Sequence, residues 1–156
     1  MENLASAQRQ VKMARYMLLG TVIITVLNLA LMMANSDIYI VYCAAVPYYL
    51  GWFGWLLDGG TVGQMTVVGL CLAGAVLAVY LLVWYLAAGR PLWLKVGLGL
   101  VIADTVALLG LALWLSDHIM DYFLELALHG AVLYEMILGI SAQKKLNATP
   151  CQDAAV

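Results

Sequence analysis

Five apolar runs separated by short polar breaks fill most of the chain, at residues 14–34, 38–57, 64–88, 94–115 and 119–140. Every run is roughly twenty residues long or longer, which is the length that an α-helix needs to cross a bilayer. The breaks combine Asn, Asp, Ser, Gly and Pro, which are the residues of turns and helix caps. The first run is longer than the apolar part of a signal peptide, so we interpret it as a retained helix. The pattern predicts an all-α transmembrane helix bundle.

The second run differs from the others because it contains Pro47 and six Tyr or Trp residues, namely Tyr39, Tyr42, Tyr48, Tyr49, Trp52 and Trp55. Proline disrupts a helix interior, and Tyr and Trp favour the membrane interface. The seven cations flank the other runs, at Arg9, Lys12, Arg15, Arg90, Lys95, Lys144 and Lys145. Cations concentrate on the cytoplasmic side, and a single crossing between residues 37 and 90 places all seven there. We therefore expect four spanning helices with both termini cytoplasmic, and a re-entrant or interfacial segment over residues 38–60. Five full spans are the alternative.

Composition supports a membrane location. Hydrophobic residues make up 65% of the chain and charged residues 10%, with a mean hydropathy of +0.97, whereas soluble domains carry about 25% charged residues. We expect one membrane-embedded domain over residues 1–146, a flexible polar tail over 147–156, and the lipid bilayer as principal partner. A second copy or another membrane subunit is the protein partner to consider. The net charge of −2 and the absence of a basic patch give no support to nucleic-acid binding.

Polar residues inside the spans are the candidate functional positions, because ionisable groups in a membrane are costly. They are Asp104 in the fourth run, Asp121, Glu125 and His129 in the last, and Thr21, Thr25 and Asn28 in the first. Counted from the nearest outer break, Asp104, His129 and Thr25 all lie about 16–18 Å deep at the helical rise. We therefore predict a polar column that opens to the outside, with a hydrogen-bonded Asp104–His129 pair as its floor.

Three functions fit such a column. The leading hypothesis is binding or translocation of a proton, a cation or a small polar solute, because a carboxylate beside an imidazole can relay protons. An accessory or assembly subunit with a structural Asp–His pair is the first alternative. A membrane-embedded enzyme acting on a lipid, with His129 as base, is the second and less favoured, since no catalytic motif is recognisable. No cofactor is predicted, and a metal on His129, Asp104 and Glu125 is weakly indicated because zinc sites usually contain more nitrogen or sulfur.

Several stretches resemble a family of short bacterial multi-span membrane proteins of unknown activity. They are Ala45-Val46-Pro47-Tyr48-Tyr49-Leu50, Ile102-Ala103-Asp104-Thr105, and His129 through Leu133-Tyr134 to Gly139 with Lys144-Lys145-Leu146. The likeness covers most of the chain in layout and only short motifs in detail. It implies a bacterial cytoplasmic membrane as the location and brings no substrate or cofactor.

Overall fold

Five helices form the protein in the computed structural model, which describes residues 2–88, 90–115 and 122–148 and contains no strand in those ranges. They are α1 (Glu2–Met33), α2 (Ala45–Leu57), α3 (Gln64–Leu86), α4 (Pro91–Leu115) and α5 (Phe123–Ala148). All except α2 are long and apolar enough to cross a membrane. The 13 residues of α2 extend only about 20 Å at the helical rise. The predicted all-α bundle of four spans with one shorter segment is confirmed, and the chain is a multi-pass membrane protein.

Large apolar side chains on the outer surfaces of the spans show which solvent the bundle needs. Ile23, Leu72, Val106 and Ile137 are each about half exposed or more. In water such apolar surfaces would promote aggregation, whereas in a bilayer they contact acyl chains that are equally apolar. All seven cations lie at one end of the bundle, where α1 and α4 begin and α3 and α5 end. We call this the cationic end, and the opposite end the hairpin end.

The segment between α1 and α3 enters the bundle and returns to the hairpin end. After α1 ends, a non-helical arm over residues 38–44 runs back along α1, with Ile40 bonded to Asn28 and Ala44 bonded to Thr25. Thr25 is eight residues before the end of α1, or about 12 Å deep at the helical rise. There α2 begins, and its return to the surface leads through a short loop into α3. The segment over residues 38–60 is predicted from the sequence to be either re-entrant or interfacial, and in the structure it is re-entrant.

Pro47 marks the beginning of α2 and does not interrupt a helix. It is the third residue of α2, in the first turn, where the missing N–H removes no helical hydrogen bond. The non-helical arm, and not the proline, is therefore what prevents residues 38–57 from forming one spanning helix.

Close contact of two helix backbones fixes α2 against α3. A Cβ atom at Gly54 would clash with the carbonyl oxygen of Met65, and one at Gly69 would clash with that of Leu50. Small residues allow this approach, which is the usual packing device between helices in lipid. The two helices thus form a tight antiparallel hairpin.

We expect Gly69→Ala to lower the free energy of unfolding by about 1–3 kcal/mol, the usual cost of overpacking. The matched control is Gly74→Ala on the same helix, where a Cβ would meet nothing within 4 Å and where alanine is the better helix former. Equilibrium unfolding in detergent measures both variants. Equal effects of the two substitutions would contradict the proposed close contact.

Asp58 stabilises the loop between α2 and α3. Its Oδ2 accepts hydrogen bonds from the N–H of Thr66 at 2.6 Å and from the Thr66 hydroxyl at 2.7 Å. These bonds favour the charged carboxylate, so they lower the pKa of Asp58 below its usual 3.8. A lowered pKa means that the stabilisation is complete above pH 3.8 and is lost as the pH falls through the folded-state value.

Asp58→Asn is therefore expected to destabilise the protein at neutral pH, and the difference from the parent should shrink below pH 3.8. Unfolding measured across that range gives both values. Asp37→Asn, in the loop after α1, controls for the loss of a carboxylate at the same end. A difference that is independent of pH would contradict the assignment.

Candidate functional site

Asp104 of α4 caps the buried N-terminus of α2. It is 3% exposed. Its Oδ2 accepts the N–H of Ala45 and its Oδ1 accepts the N–H of Val46, both at 2.8 Å. Pro47 has no N–H, and the Tyr48 N–H already bonds the carbonyl of Ala44. Because a helix N-terminus carries partial positive charge and unpaired donors, one carboxylate stabilises the whole first turn.

Asp104 is needed there because Ala44, at the cap position of α2, offers no side-chain hydrogen bond. An uncapped helix start in water would bond to solvent, but at this depth no bulk water is present. The cap therefore comes from another helix.

His129 of α5 lies beside this carboxylate and is 1% exposed. Its Nε2 is 3.2 Å from Asp104 Oδ2, and its Nδ1 is 2.9 Å from the backbone oxygen of Glu125. The predicted hydrogen bond between Asp104 and His129 is thus present. The ring of Tyr42 meets the imidazole edge to face, with 5.1 Å between the ring centroids.

The hydrogen-bond partners of His129 indicate how many protons the pair holds. A carbonyl oxygen only accepts, so the proton on Nδ1 must point at Glu125. Nε2 and Asp104 Oδ2 then need a second proton between them, because two bare acceptors at this distance would repel. The pair is either imidazolium with carboxylate or imidazole with carboxylic acid. Both forms have zero net charge, which lowers the cost of burying them in a membrane.

Glu125 is a second buried carboxylate, one helical turn from His129 toward the hairpin end. Its Oε1 accepts a hydrogen bond from the Tyr39 hydroxyl at 3.0 Å and a longer one from the Cys43 thiol at 3.6 Å. The Tyr39 hydroxyl oxygen and the Cys43 Sγ are 3.2 Å apart. Both belong to the arm, so Glu125 ties the arm to α5.

Thr21, Thr25 and Asn28 form a polar stripe on α1, and this stripe binds the arm. Asn28 pairs with Ile40 through two hydrogen bonds of 2.9 Å, donating to its carbonyl and accepting from its N–H. The N–H of Ala44 donates to Thr25 Oγ1 at 2.7 Å. Thr21 donates to the carbonyl of Met17, so Tyr42 must be the donor in the 2.7 Å bond between the Tyr42 and Thr21 hydroxyls.

This use of the stripe differs from the sequence expectation, in which Thr21, Thr25 and Asn28 faced the acidic residues of the last run across an open column. The reason is that a non-helical backbone inside a membrane must find partners for its N–H and C=O groups. The arm occupies the space in front of α1 and takes those groups for itself.

The structure therefore brings the predicted residues together, with one exception. Asp104, His129, Glu125, Thr25, Asn28 and Thr21 all adjoin the re-entrant segment and are buried, whereas Asp121 lies outside the described residues. The described residues contain no group of three His, Cys, Asp or Glu side chains that could hold a metal. Sequence reasoning missed Tyr39, Tyr42 and Cys43 as members of the site. Their signal was available, because a segment that enters without crossing must bring its own side chains to mid-membrane.

Comparison of the chain with protein-family models, with curated proteins and with solved structures finds no match.

Proposed function

We propose that this integral membrane protein binds and translocates protons at the Asp104–His129 pair. The observation that carries the proposal is the 3.2 Å distance between His129 Nε2 and Asp104 Oδ2, two buried groups that can share a proton inside the bundle. A proton that can rest on either partner is what a relay requires, and ionisable residues at mid-membrane commonly mark proton pathways. Glu125, with the hydroxyl of Tyr39, supplies the next group toward the hairpin end.

An accessory or assembly subunit is the second candidate, and a specific observation favours it. Both oxygens of Asp104 are engaged by the backbone of α2, which is the arrangement expected of a structural clip. In that case His129 serves only to neutralise a buried carboxylate.

Proton flux into liposomes distinguishes the two candidates. The purified chain is reconstituted with a pH-sensitive dye inside the vesicles, and a potassium diffusion potential drives uptake. We expect the parent to acidify the lumen and His129→Gln to do so at least about tenfold more slowly, as for loss of a proton-transferring group. His129→Gln leaves both backbone bonds of Asp104 in place. Thr105→Ala is the control, because within the part of the chain that the structure describes the Thr105 hydroxyl bonds only the carbonyl of Val101 in its own helix.

Two results would overturn proton translocation. One is parental flux equal to that of empty liposomes, which leaves the accessory role. The other is His129→Gln flux equal to the parent, which moves the pathway away from the pair.

We further propose a bacterial cytoplasmic membrane as the location, with the cationic end and both termini in the cytoplasm. The positive-inside rule supports this orientation, because the cations all lie at one end. Single cysteines at Thr61 and Asn147 in a cysteine-free chain test it with an impermeant thiol reagent on intact cells. We expect labelling at position 61 and none at 147 until the membrane is permeabilised. Labelling at 147 in intact cells would reverse the orientation.

A further inference from the structure

A cleft at the cationic end is distinct from the buried site. Its volume is about 290 Å³, and it lies between α1 and α3 beside the end of α5. Its lining residues are Gln8, Val11, Lys12, Arg15, Tyr16, Trp84 and Leu146. Two of these are cations and none is acidic, so the cleft has a strongly positive local charge.

Two nitrogen atoms at this cleft have no hydrogen-bond partner among the described residues, namely Arg15 Nε and Trp84 Nε1. Both atoms are buried, and a buried unpaired donor costs about 1–3 kcal/mol. Within the described ranges, Arg15 Nη2 donates one long hydrogen bond, 3.4 Å, to the carbonyl of Trp84. The guanidinium lies 5.8 Å from the centroid of the Trp84 ring. Both residues line the cleft, so an acceptor bound there within reach of these two N–H groups would give each the partner that it lacks.

The cleft fits an anion with several oxygens. A guanidinium binds phosphate through two parallel hydrogen bonds, an ammonium adds charge, and an indole N–H donates a third type of bond. Val11, Tyr16 and Leu146 add apolar surface beside these donors. The position is also suitable, because residues 12–16 stand where the charged start of α1 meets its apolar run. Basic pockets between transmembrane helices at an interface bind lipid headgroups in this way.

We propose that Lys12, Arg15 and Trp84 form a binding site for a phosphate group, supplied by an anionic phospholipid in the leaflet at the cationic end. The apolar surface formed by Val11, Tyr16 and Leu146 would contact the glycerol and the upper part of the acyl chain. Inorganic phosphate has the same head chemistry without that apolar part, and it is the other source to be tested.

Native mass spectrometry of the full chain in neutral detergent tests the site. The probes are phosphatidylglycerol, phosphatidylcholine and inorganic phosphate. We expect the parent to retain phosphatidylglycerol in preference to phosphatidylcholine. Lys12→Gln and Arg15→Gln should each weaken retention about tenfold, the scale of one charged hydrogen bond. Trp84→Phe keeps the ring and removes one N–H, and should weaken retention about threefold to tenfold.

Arg90→Gln is the matched control, because Arg90 is an exposed cation at the same end and lines a different cleft. Its retention of phosphatidylglycerol should equal that of the parent. Equal losses for Arg90→Gln and Arg15→Gln, or equal retention of the two lipids by the parent, would overturn the proposal, since either result means general surface charge. Displacement of the lipid by inorganic phosphate assigns the site to free phosphate, and resistance to it assigns the site to lipid. If Arg15→Gln fails to fold, Lys12→Gln and Trp84→Phe decide the matter.

Discussion

Asp104→Ala should lower the free energy of unfolding by about 3–5 kcal/mol, the range found when one member of a buried ion pair is removed. Three groups lose their partner together: the N–H groups of Ala45 and Val46 and the Nε2 of His129. No bulk water replaces the lost oxygen atoms at this depth. Unfolding in a detergent series gives the free energy. Hydrogen exchange at Ala45 and Val46 should accelerate in the same variant.

Asp104→Asn refines this result. An amide keeps one acceptor for Val46 but directs an NH₂ group at the N–H of Ala45, so about 1–3 kcal/mol should be lost. Thr105→Ala, one residue away, is the control and should stay within about 0.5 kcal/mol. If Asp104→Ala unfolds like the control, the carboxylate does not stabilise α2, and its role as a cap is wrong.

Asn28→Ala has the second-largest expected effect, about 2–4 kcal/mol for two partly buried backbone groups left without partners. The amide of Asn28 satisfies the N–H and the carbonyl of Ile40 at once. Alanine can replace neither bond, so we expect the arm to detach from α1. Faster exchange at the Ile40 amide and modification of the Cys43 thiol, which is fully buried in the parent, should accompany the loss of stability.

Asn28→Asp separates the two bonds. It keeps an acceptor for the Ile40 N–H but places an oxygen against the Ile40 carbonyl, so it should be destabilising as well. Leu27→Ala is the matched control, because Leu27 is the neighbouring residue and faces lipid with 48% exposure. A thiol that stays protected in Asn28→Ala would show that the arm does not depend on this pairing.

Much of the fold could be predicted from charge and length. Taken with the cations before the first run, Arg90 and Lys95 favour four spans over five, since an even number of crossings after residue 37 would place the two groups of cations on opposite sides of the membrane. The helical rise per residue predicts that Asp104 and His129 lie at the same depth. In the structure Asp104 Oδ2 and His129 Nε2 are 3.2 Å apart. These predictions succeeded because they depend on spacing along regular helices, which is the same in every context.

The conformation of the arm could not be predicted in this way. Residues 38–44 are apolar and carry no helix breaker, so nothing local excludes a helix there. Their non-helical form depends on partners elsewhere in the chain, such as Asn28 for Ile40 and Thr25 for Ala44. For the same reason the sequence alone predicts that the polar stripe of α1 lines an open column. A sequence shows that a buried amide needs a partner, but not whether that partner is solvent or backbone.

The cap of α2 also sets an order for biogenesis. Asn28 and Thr25 are synthesised before the arm that they bind, so α1 can receive residues 40 and 44 as soon as these appear. Asp104 follows Ala45 by 59 residues. At the usual 5–20 residues per second, the start of α2 waits about 3–12 s for its carboxylate. During that interval the N–H groups of Ala45 and Val46 lack the Asp104 carboxylate, and His129, which pairs with that carboxylate, is made later still. A truncated chain that ends before α4 should therefore leave α2 exposed to membrane quality control.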